Sequence, residues 1–509
     1  AMLSPFNLPK KSSVLIFLAA LLLACSLPQS TTPGQLTADP ASGTGANAVM
    51  TPFRPATRAP GDPILTPTPD APHRLPSLRN QAESYTVQSN DTLGGIAAAF
   101  GISLEALLAA NDLPNPDLLS VGQILTIPAP IPGAPGPSFK IIPDSELVNG
   151  PANAVFKITD FVSNYGGYLA TYQEEVDGQI LSGALVVDRI ARDYSVNPRL
   201  LLAVLEHQSG WLTLKQPRLE TLAFPISNGN NGRQGLYRQL AWAADNLNHG
   251  YYLWRVDGIG FWITTDGVFI PADSTLNPGT AGIQHLFSLL YDQAAWRQAV
   301  SETGFFSTFS ALFGYPFDWA IEPIVPPGLS QPSMQLPFEP NTLWVFTGGP
   351  HGGWDSGSAW AALDFAPPAE ELGCVQNDAW VVAAADGLIL RAENGAVVQD
   401  LDGDGFEQTG WTILYMHVES RERVSAGTFL RAGERIGHPS CEGGISSGTH
   451  LHLARRYNGE WIPADGPLPL VMDGWTSVGS GRLYDGFLVR GEESIEACEC
   501  KEPENMLQR

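Results

Sequence analysis

At 509 residues the chain is too long for one hydrophobic core, so roughly two to four domains are expected. Its 44% hydrophobic and 16% charged residues are globular on average, although the 42 prolines are unevenly spread. A formal charge of −24 with no basic stripe excludes nucleic acid as a partner, because phosphate neutralisation needs clustered Lys and Arg; it bears on solubility rather than on any other partner.

Lys10 and Lys11 precede an apolar run of eleven residues, Val14 to Ala24. A bilayer-spanning helix needs about 20, so this is a signal-peptide core and the chain is exported. The run ends Leu22-Leu23-Ala24-Cys25, which resembles the lipobox of bacterial lipoproteins. That resemblance implies cleavage before Cys25, lipidation of Cys25 and membrane anchoring on the extracytoplasmic side, so residues 1–25 are read as a lipoprotein signal peptide. Residues 26–82 are Pro-, Thr- and Ser-rich without hydrophobic period, and are expected to be a disordered tether.

Residues 83–129 form a small α+β unit. Tyr85 to Val87 is a strand, Asp91 caps a helix presenting Leu93, Ile96, Ala97 and Phe100 on one face, and Gly101 stops it. Ser103 caps a second helix carrying Leu104, Leu107 and Leu108, and "QILTIP" closes the unit as a strand. With "YTVQSNDTLGGIA" and "LSVGQILTIP" at its ends, the unit resembles a LysM module. The resemblance implies binding to N-acetylglucosamine-containing glycans such as peptidoglycan.

After a Pro-rich linker at 130–145, residues 146–330 read as an all-α domain. Asn197-Pro198 suits the cap and first position of a helix, and Asn277-Pro278 opens another. Between them, Leu236, Leu240, Ala243, Leu247 and Tyr251 align on a helix with Gly250 near its stop. "YSVNPRLLLAVLEHQSGW" resembles the active-site helix of lytic transglycosylases and lysozyme-like domains, where a glutamate precedes Ser-Gly. Here Gln208 stands in that place, and an amide cannot protonate a glycosidic oxygen. Glu206 lies two residues back, about 200° around the helix. The expected domain is therefore lysozyme-like and all-α, without glycosidase activity.

Residues 331–492 change to short Gly-punctuated strands, expected to form a mainly antiparallel β domain, with 493–509 as a tail. Five of the nine histidines fall here. In "GTHLHLA", His450 and His452 alternate around Leu451 and so share one strand face, while Leu451 and Leu453 face the core. "GGPH…LDF", "GWTILYMHV" and "SSGTHLHL" resemble the zinc endopeptidases of the lysostaphin and beta-lytic protease family. The resemblance implies that His351, an aspartate and His452 bind one zinc ion, with His417 and His450 as catalytic groups beside it. Many relatives follow the histidine pair with Phe and Glu, where this chain has Leu453 and Ala454; the five key groups are intact. Two imidazoles and one carboxylate leave a tetrahedral zinc with an open position, the arrangement of a catalytic site.

Two aspartates compete for the third ligand position. Asp355, in "GGWDSGS", can satisfy a local turn and stay solvated. Asp364, in the apolar "AWAALDFA", would carry a burial cost of several kcal/mol if unpaired, so it is the expected ligand. Its twelve-residue separation from His351 resembles the beta-lytic subgroup, whereas Asp355 has the lysostaphin-type spacing of three.

With Cys25 assigned to lipid, Cys374, Cys441, Cys498 and Cys500 allow three pairings, of which Cys374 with Cys441 is favoured because both fall inside the β domain. "DLDGDGFEQTG" begins like a calcium loop at Asp400, Asp402 and Asp404, but position twelve is Trp411, so a hairpin turn is expected. His438 is expected in a loop without metal, and His207, His249 and His285 as surface or packed helix residues. The sequence thus describes an exported zinc endopeptidase acting on the peptide stems or bridges of peptidoglycan.

Overall fold

The computed structural model describes residues 67–509 except 68–69, 77–79, 89–90, 114, 116–117, 131–133, 228–232, 370–372 and 501. The signal-peptide core and Cys25 lie outside the described residues, as do residues 26–66 of the tether. No helix among the described residues is long and apolar enough to cross a membrane.

In the first unit, β1 (Glu83–Thr86) pairs antiparallel with β2 (Ile124–Ile127), and α1 (Leu93–Ala99) and α2 (Leu104–Ala109) lie between them in sequence. Ile96, Ala97, Leu107, Leu125 and Ile127 share its core. Ser103 caps α2 by accepting from Ala106 N–H. Asp91 does not cap α1: its carboxylate takes Gln88 N–H at 2.6 Å and the Tyr85 hydroxyl at 2.8 Å, and Thr92 Oγ1 accepts from Gly95 N–H instead. A bond back to the preceding strand wins over the helix end.

The middle region runs α3 (Ile158–Tyr165), β3 (Gln173–Val176), β4 (Gln179–Ser182), α4 (Gly183–Tyr194), α5 (Pro198–Ser209) and α6 (Leu236–Arg255). It continues through β5 (Phe261–Ile263), β6 (Phe269–Pro271), α7 (Pro278–Ser288), α8 (Gln293–Ala299) and α9 (Phe305–Phe313). The all-α expectation is corrected here: β3–β4 and β5–β6 are antiparallel hairpins. The first turns on Asp177-Gly178, both at positive φ (48° and 76°), the conformation a tight two-residue hairpin requires. Asn197 caps α5 as expected, accepting from Arg199 N–H. Gly250 does not stop α6. It sits mid-helix against α7, where a Cβ would meet Gly282 Cα at 2.8 Å, so it permits close helix packing. Ile141 and Ile142, at the end of the expected linker, are fully buried in this core.

The last third carries β7 (Leu343–His351), β8 (Ala362–Ala366), β9 (Val381–Val382), β10 (Gly387–Glu393), β11 (Ala396–Asp400) and β12 (Trp411–Met416). Then follow β13 (Phe429–Leu430), β14 (Arg435–Gly437), β15 (Leu451–Tyr457), β16 (Glu460–Trp461), β17 (Val471–Met472), β18 (Trp475–Gly479) and β19 (Gly486–Arg490). The main antiparallel sheet has the order β13-β10-β11-β12-β15-β8-β7, and residues 493–509, expected as a tail, complete the architecture. Within them β20 (Glu493–Glu496) pairs with β19, and β21 (Met506–Gln508) closes the outer edge of β7.

Leu363, Phe365, Leu451 and Leu453 bury one face of the sheet in the β core. The other face, through Ala362, Ala396, Val398, Leu414, Met416 and Ala454, belongs to the same apolar cluster as the helices. Ion pairs reinforce that junction. Arg391 bonds Asp193 of α4 at 2.7 Å and Glu407 at 2.5 Å, and Arg456 also meets Glu407. Burial opposes the Glu407 charge, but Arg391 and Arg456 hold its carboxyl down at about 2.

Candidate metal centre

The strand register assembles the centre. His452 on β15 lies directly opposite Asp364 on β8, so both side chains rise from one face. Across β8, His351 pairs with Ala362, two residues from Asp364 and therefore on that same face. Gly348 lies beside Asp364 on β7, where a Cβ would come within 2.8 Å of Asp364 Oδ2; the missing side chain makes room for the carboxylate.

The three side chains converge on one point. His351 Nε2 and His452 Nδ1 are 3.0 Å apart, and each is 3.2 Å from Asp364 Oδ1. The outer ring nitrogens fix the tautomers, because a carbonyl can only accept. His351 Nδ1–H donates to Gly349 O at 2.8 Å, and His452 Nε2–H to Gly353 O at 3.1 Å. Both inner nitrogens therefore present lone pairs to a carboxylate oxygen that is buried and has no hydrogen-bond donor. Three such atoms repel one another unless a cation lies among them. A tetrahedral zinc with bonds of about 2.0–2.1 Å separates its ligands by roughly 3.3–3.4 Å, so the donor set fits that ion. Without a metal a proton can take the cation's place: burial disfavours the Asp364 charge, yet a protonated imidazole of His351 or His452 holds its carboxyl far below the ordinary range. Burial also opposes protonation of His351, which the Asp364 carboxylate more than offsets, while burial pushes His452 down.

Two further histidines flank this point. His450 Nδ1–H donates to Gly448 O at 2.8 Å, and Nε2 lies 3.7 Å from Asp364 Oδ1. His417, at φ 65°, donates Nδ1–H to Glu442 O at 3.1 Å, and its ring centroid is 4.4 Å from that of His450. Burial, then His450 and His452, push the His417 imidazole down to about 3. Tyr484 stacks on His351 with centroids 4.2 Å apart. A single tyrosine in "GRLYDG", 133 residues beyond His351 in the chain, carries no sequence signal of that role. A disulfide joins Cys374 to Cys441, with Cα atoms 5.7 Å apart, and another joins Cys498 to Cys500.

The remaining sequence candidates lie elsewhere. Asp355 accepts the Tyr194 hydroxyl at 3.0 Å and does not join the histidines. Asp400, Asp402 and Asp404 cluster, but Asp400 accepts backbone N–H groups from Asp402, Gly403 and Gly405, as a turn requires. His438 lies between Ala379 O and Glu422 and packs against the Trp380 ring at a tilt of 44°. His207 packs on Phe287, and His249 stacks on His285. Glu206 ties down Leu212 N–H and Thr213 N–H, and Gln208 donates to the Tyr291 hydroxyl at 2.7 Å.

Family models match along the chain: the LysM domain over residues 85–128, the LasA N-terminal domain over 140–325 and peptidase family M23 over 369–463. The second covers the middle region and does not confirm the lysozyme-like expectation; the third takes in His417, His450 and His452 and starts after His351 and Asp364. The chain is similar to Protease LasA of Pseudomonas aeruginosa (strain UCBPP-PA14), 26% identical over 284 residues, which are 54% of this chain and 66% of that protein. It therefore spans just under two thirds of that relative's length. Beta-lytic metalloendopeptidase of Lysobacter enzymogenes is 25% identical over 154 residues, 30% of this chain and 83% of the relative. The solved structure of pseudoalterin, a deep-sea M23 metalloprotease, aligns with 35% of this chain and 100% of its own at 24% identity and a TM-score of 0.29. This chain carries, in order, a LysM domain, a LasA N-terminal domain and a peptidase family M23 domain.

Proposed function

We propose that the chain is an exported, zinc-dependent endopeptidase that cuts the peptide part of peptidoglycan, brought to its substrate by the LysM module's hold on N-acetylglucosamine-containing glycan. The observation that carries the reading is the convergence of His351 Nε2, Asp364 Oδ1 and His452 Nδ1, each within 3.2 Å of the other two. These three residues would hold one zinc ion. Bound there, zinc supplies Lewis-acid activation of water and of the scissile carbonyl.

The chain's own groups complete the chemistry. His417 and His450 commit their Nδ1–H groups to Glu442 O and Gly448 O, so each keeps Nε2 to take or deliver a proton. One can accept a proton from attacking water while the other donates to the leaving nitrogen or the carbonyl oxygen. Glu206 is bound to its own helix end and Gln208 offers an amide, so the helical domain contributes no glycosidase chemistry. Cys25 anchors the mature protein to the membrane through lipid. Lysis of purified cell walls in a zymogram, with and without chelator, tests the reading. Loss of lysis on chelation and recovery with zinc is expected; lysis indifferent to chelator overturns it.

A further inference from the structure

This inference rests on the zinc reading above. Residues 352–358 link β7, which ends at His351, to the segment leading into β8. Gly353 in this loop supplies the carbonyl that fixes the His452 tautomer. Within the loop Ser358 Oγ accepts from Trp354 N–H at 2.9 Å and Asp355 Oδ1 from Ser356 N–H at 2.8 Å, and Asp355 itself sits in the left-handed region at φ 54°.

Further restraints come from the helical domain. Tyr194, the last residue of α4, donates its hydroxyl to Asp355 Oδ2 at 3.0 Å. Asp245 on α6 accepts Gly357 N–H at 2.6 Å and the Ser356 hydroxyl at 3.0 Å. The loop is pressed against that helix, since a Cβ on Gly357 would stand 1.9 Å from Asp245 O. On its other side, Gly353 rests on Trp461, where a Cβ would meet the ring at 2.6 Å. Trp461 is in turn held from the helices, its Nε1–H donating to Tyr194 O at 3.3 Å and its backbone N–H to the Tyr252 hydroxyl at 3.0 Å.

We propose that Tyr194 and Asp245 are positioning residues for the metal centre, acting through the 352–358 loop and the Gly353 carbonyl on His452. The helical domain is then part of the working metallopeptidase, because a ligand's outer hydrogen bond is set by contacts it supplies. Loss of a ligand's outer partner typically costs about 10–100-fold in metal affinity, and a residue one step further out belongs at the lower end.

The test uses the full chain and zinc itself. Affinity is read by competition with a chromophoric chelator, and the thermal midpoint of the metal-free protein is recorded beside it. Tyr194→Phe and Asp245→Ala should each weaken zinc binding about tenfold and shift the visible bands of the cobalt(II)-loaded protein. Asp245→Asn, which keeps one acceptor oxygen, should recover part of the loss. Asp193→Asn is the control, since it removes the negative charge paired with Arg391 at the same interdomain face while Asp193 bonds neither the loop nor Trp461. It should lower the midpoint and leave zinc affinity within about twofold. Unchanged affinity in Tyr194→Phe and Asp245→Ala, or an equal loss in Asp193→Asn, overturns the proposal. A parent chain that binds no zinc overturns the site assignment, and this inference with it.

Discussion

Gly348→Ala perturbs the centre without touching a ligand. The added Cβ would lie 2.8 Å from Asp364 Oδ2 and 3.0 Å from Asp364 Cβ, where ordinary contact begins at 3.4 Å. The carboxylate must therefore retreat by about 0.6 Å, beyond the roughly 0.5 Å tolerance within which a constellation works. Asp364 cannot turn aside freely, because its strand is hydrogen-bonded on both sides, to β7 and to β15. Zinc affinity should fall about 10–100-fold, while overpacking costs the metal-free fold about 1–3 kcal/mol. Chelator competition gives the first quantity and thermal unfolding of the metal-free protein the second. If the variant binds zinc within twofold of the parent while its midpoint drops, Asp364 is not a ligand held by that contact.

His452→Ala and Asp364→Ala should lose stoichiometric zinc by metal analysis, whereas His417→Ala and His450→Ala should retain it and lose about 10²–10⁴-fold in wall-lysis rate; equal zinc loss in all four variants would refute the division of roles. Burial, then Asp355, pushes the Asp245 carboxyl up to about 6, and burial pushes Glu460 up to about 7 against the pull of Arg255. Raised values favour the fold at acid pH: the contribution is whole below about 4 and is lost as the pH climbs through 6 to 7, on the order of 3 kcal/mol per group at most. Below about pH 6.5 the buried imidazoles of His207, His285 and His417, pushed down by burial, pull the other way, so the check is the difference between parent and Asp245→Asn: the parent should lose midpoint relative to the variant from pH 5 to pH 8, and a difference that does not change with pH contradicts this. Replacing Cys374 and Cys441 with Ser opens a loop with a sequence separation of 67 and should cost about 4 kcal/mol of stability in denaturant titration. Cys25→Ser should release the protein from the membrane fraction, and an acyl-free parent in intact-mass spectrometry would dispose of the anchor.

The candidate site, His351 with Asp364 and His452, is legible in the sequence where local pattern and chemistry coincide. Alternation in "THLHL" puts two imidazoles on one strand face, and a carboxylate in "AALDFA" has no inexpensive place without a cation. The pairing of His452 with Asp364 needed the fold, because register is a property of two strands and not of either alone. The helical contribution was hidden for a different reason. Ala362, Ala396 and Ala454 read as ordinary strand residues, yet their small size lets helices lie on that sheet face beside the centre. Asp177-Gly178 is a two-residue hairpin signal set among residues of helical periodicity. Sequence alone cannot distinguish a glycine that ends a helix from one that, like Gly250, lets another helix approach.

The seam between β21 and β7 has a practical consequence. Asn505 donates to the carbonyls of Cys498 and Cys500 and reaches Phe346 O, fastening the last strand beside the one that ends in His351. Cutting the chain back to residue 492 would strip that cover and leave Leu343, Trp344 and Val345 as a naked sheet border facing solvent. Unpaired borders of this kind recruit other chains. Such a shortened protein should self-associate through the strand that carries the first histidine, so an assay on it would report on clumped material rather than on the enzyme.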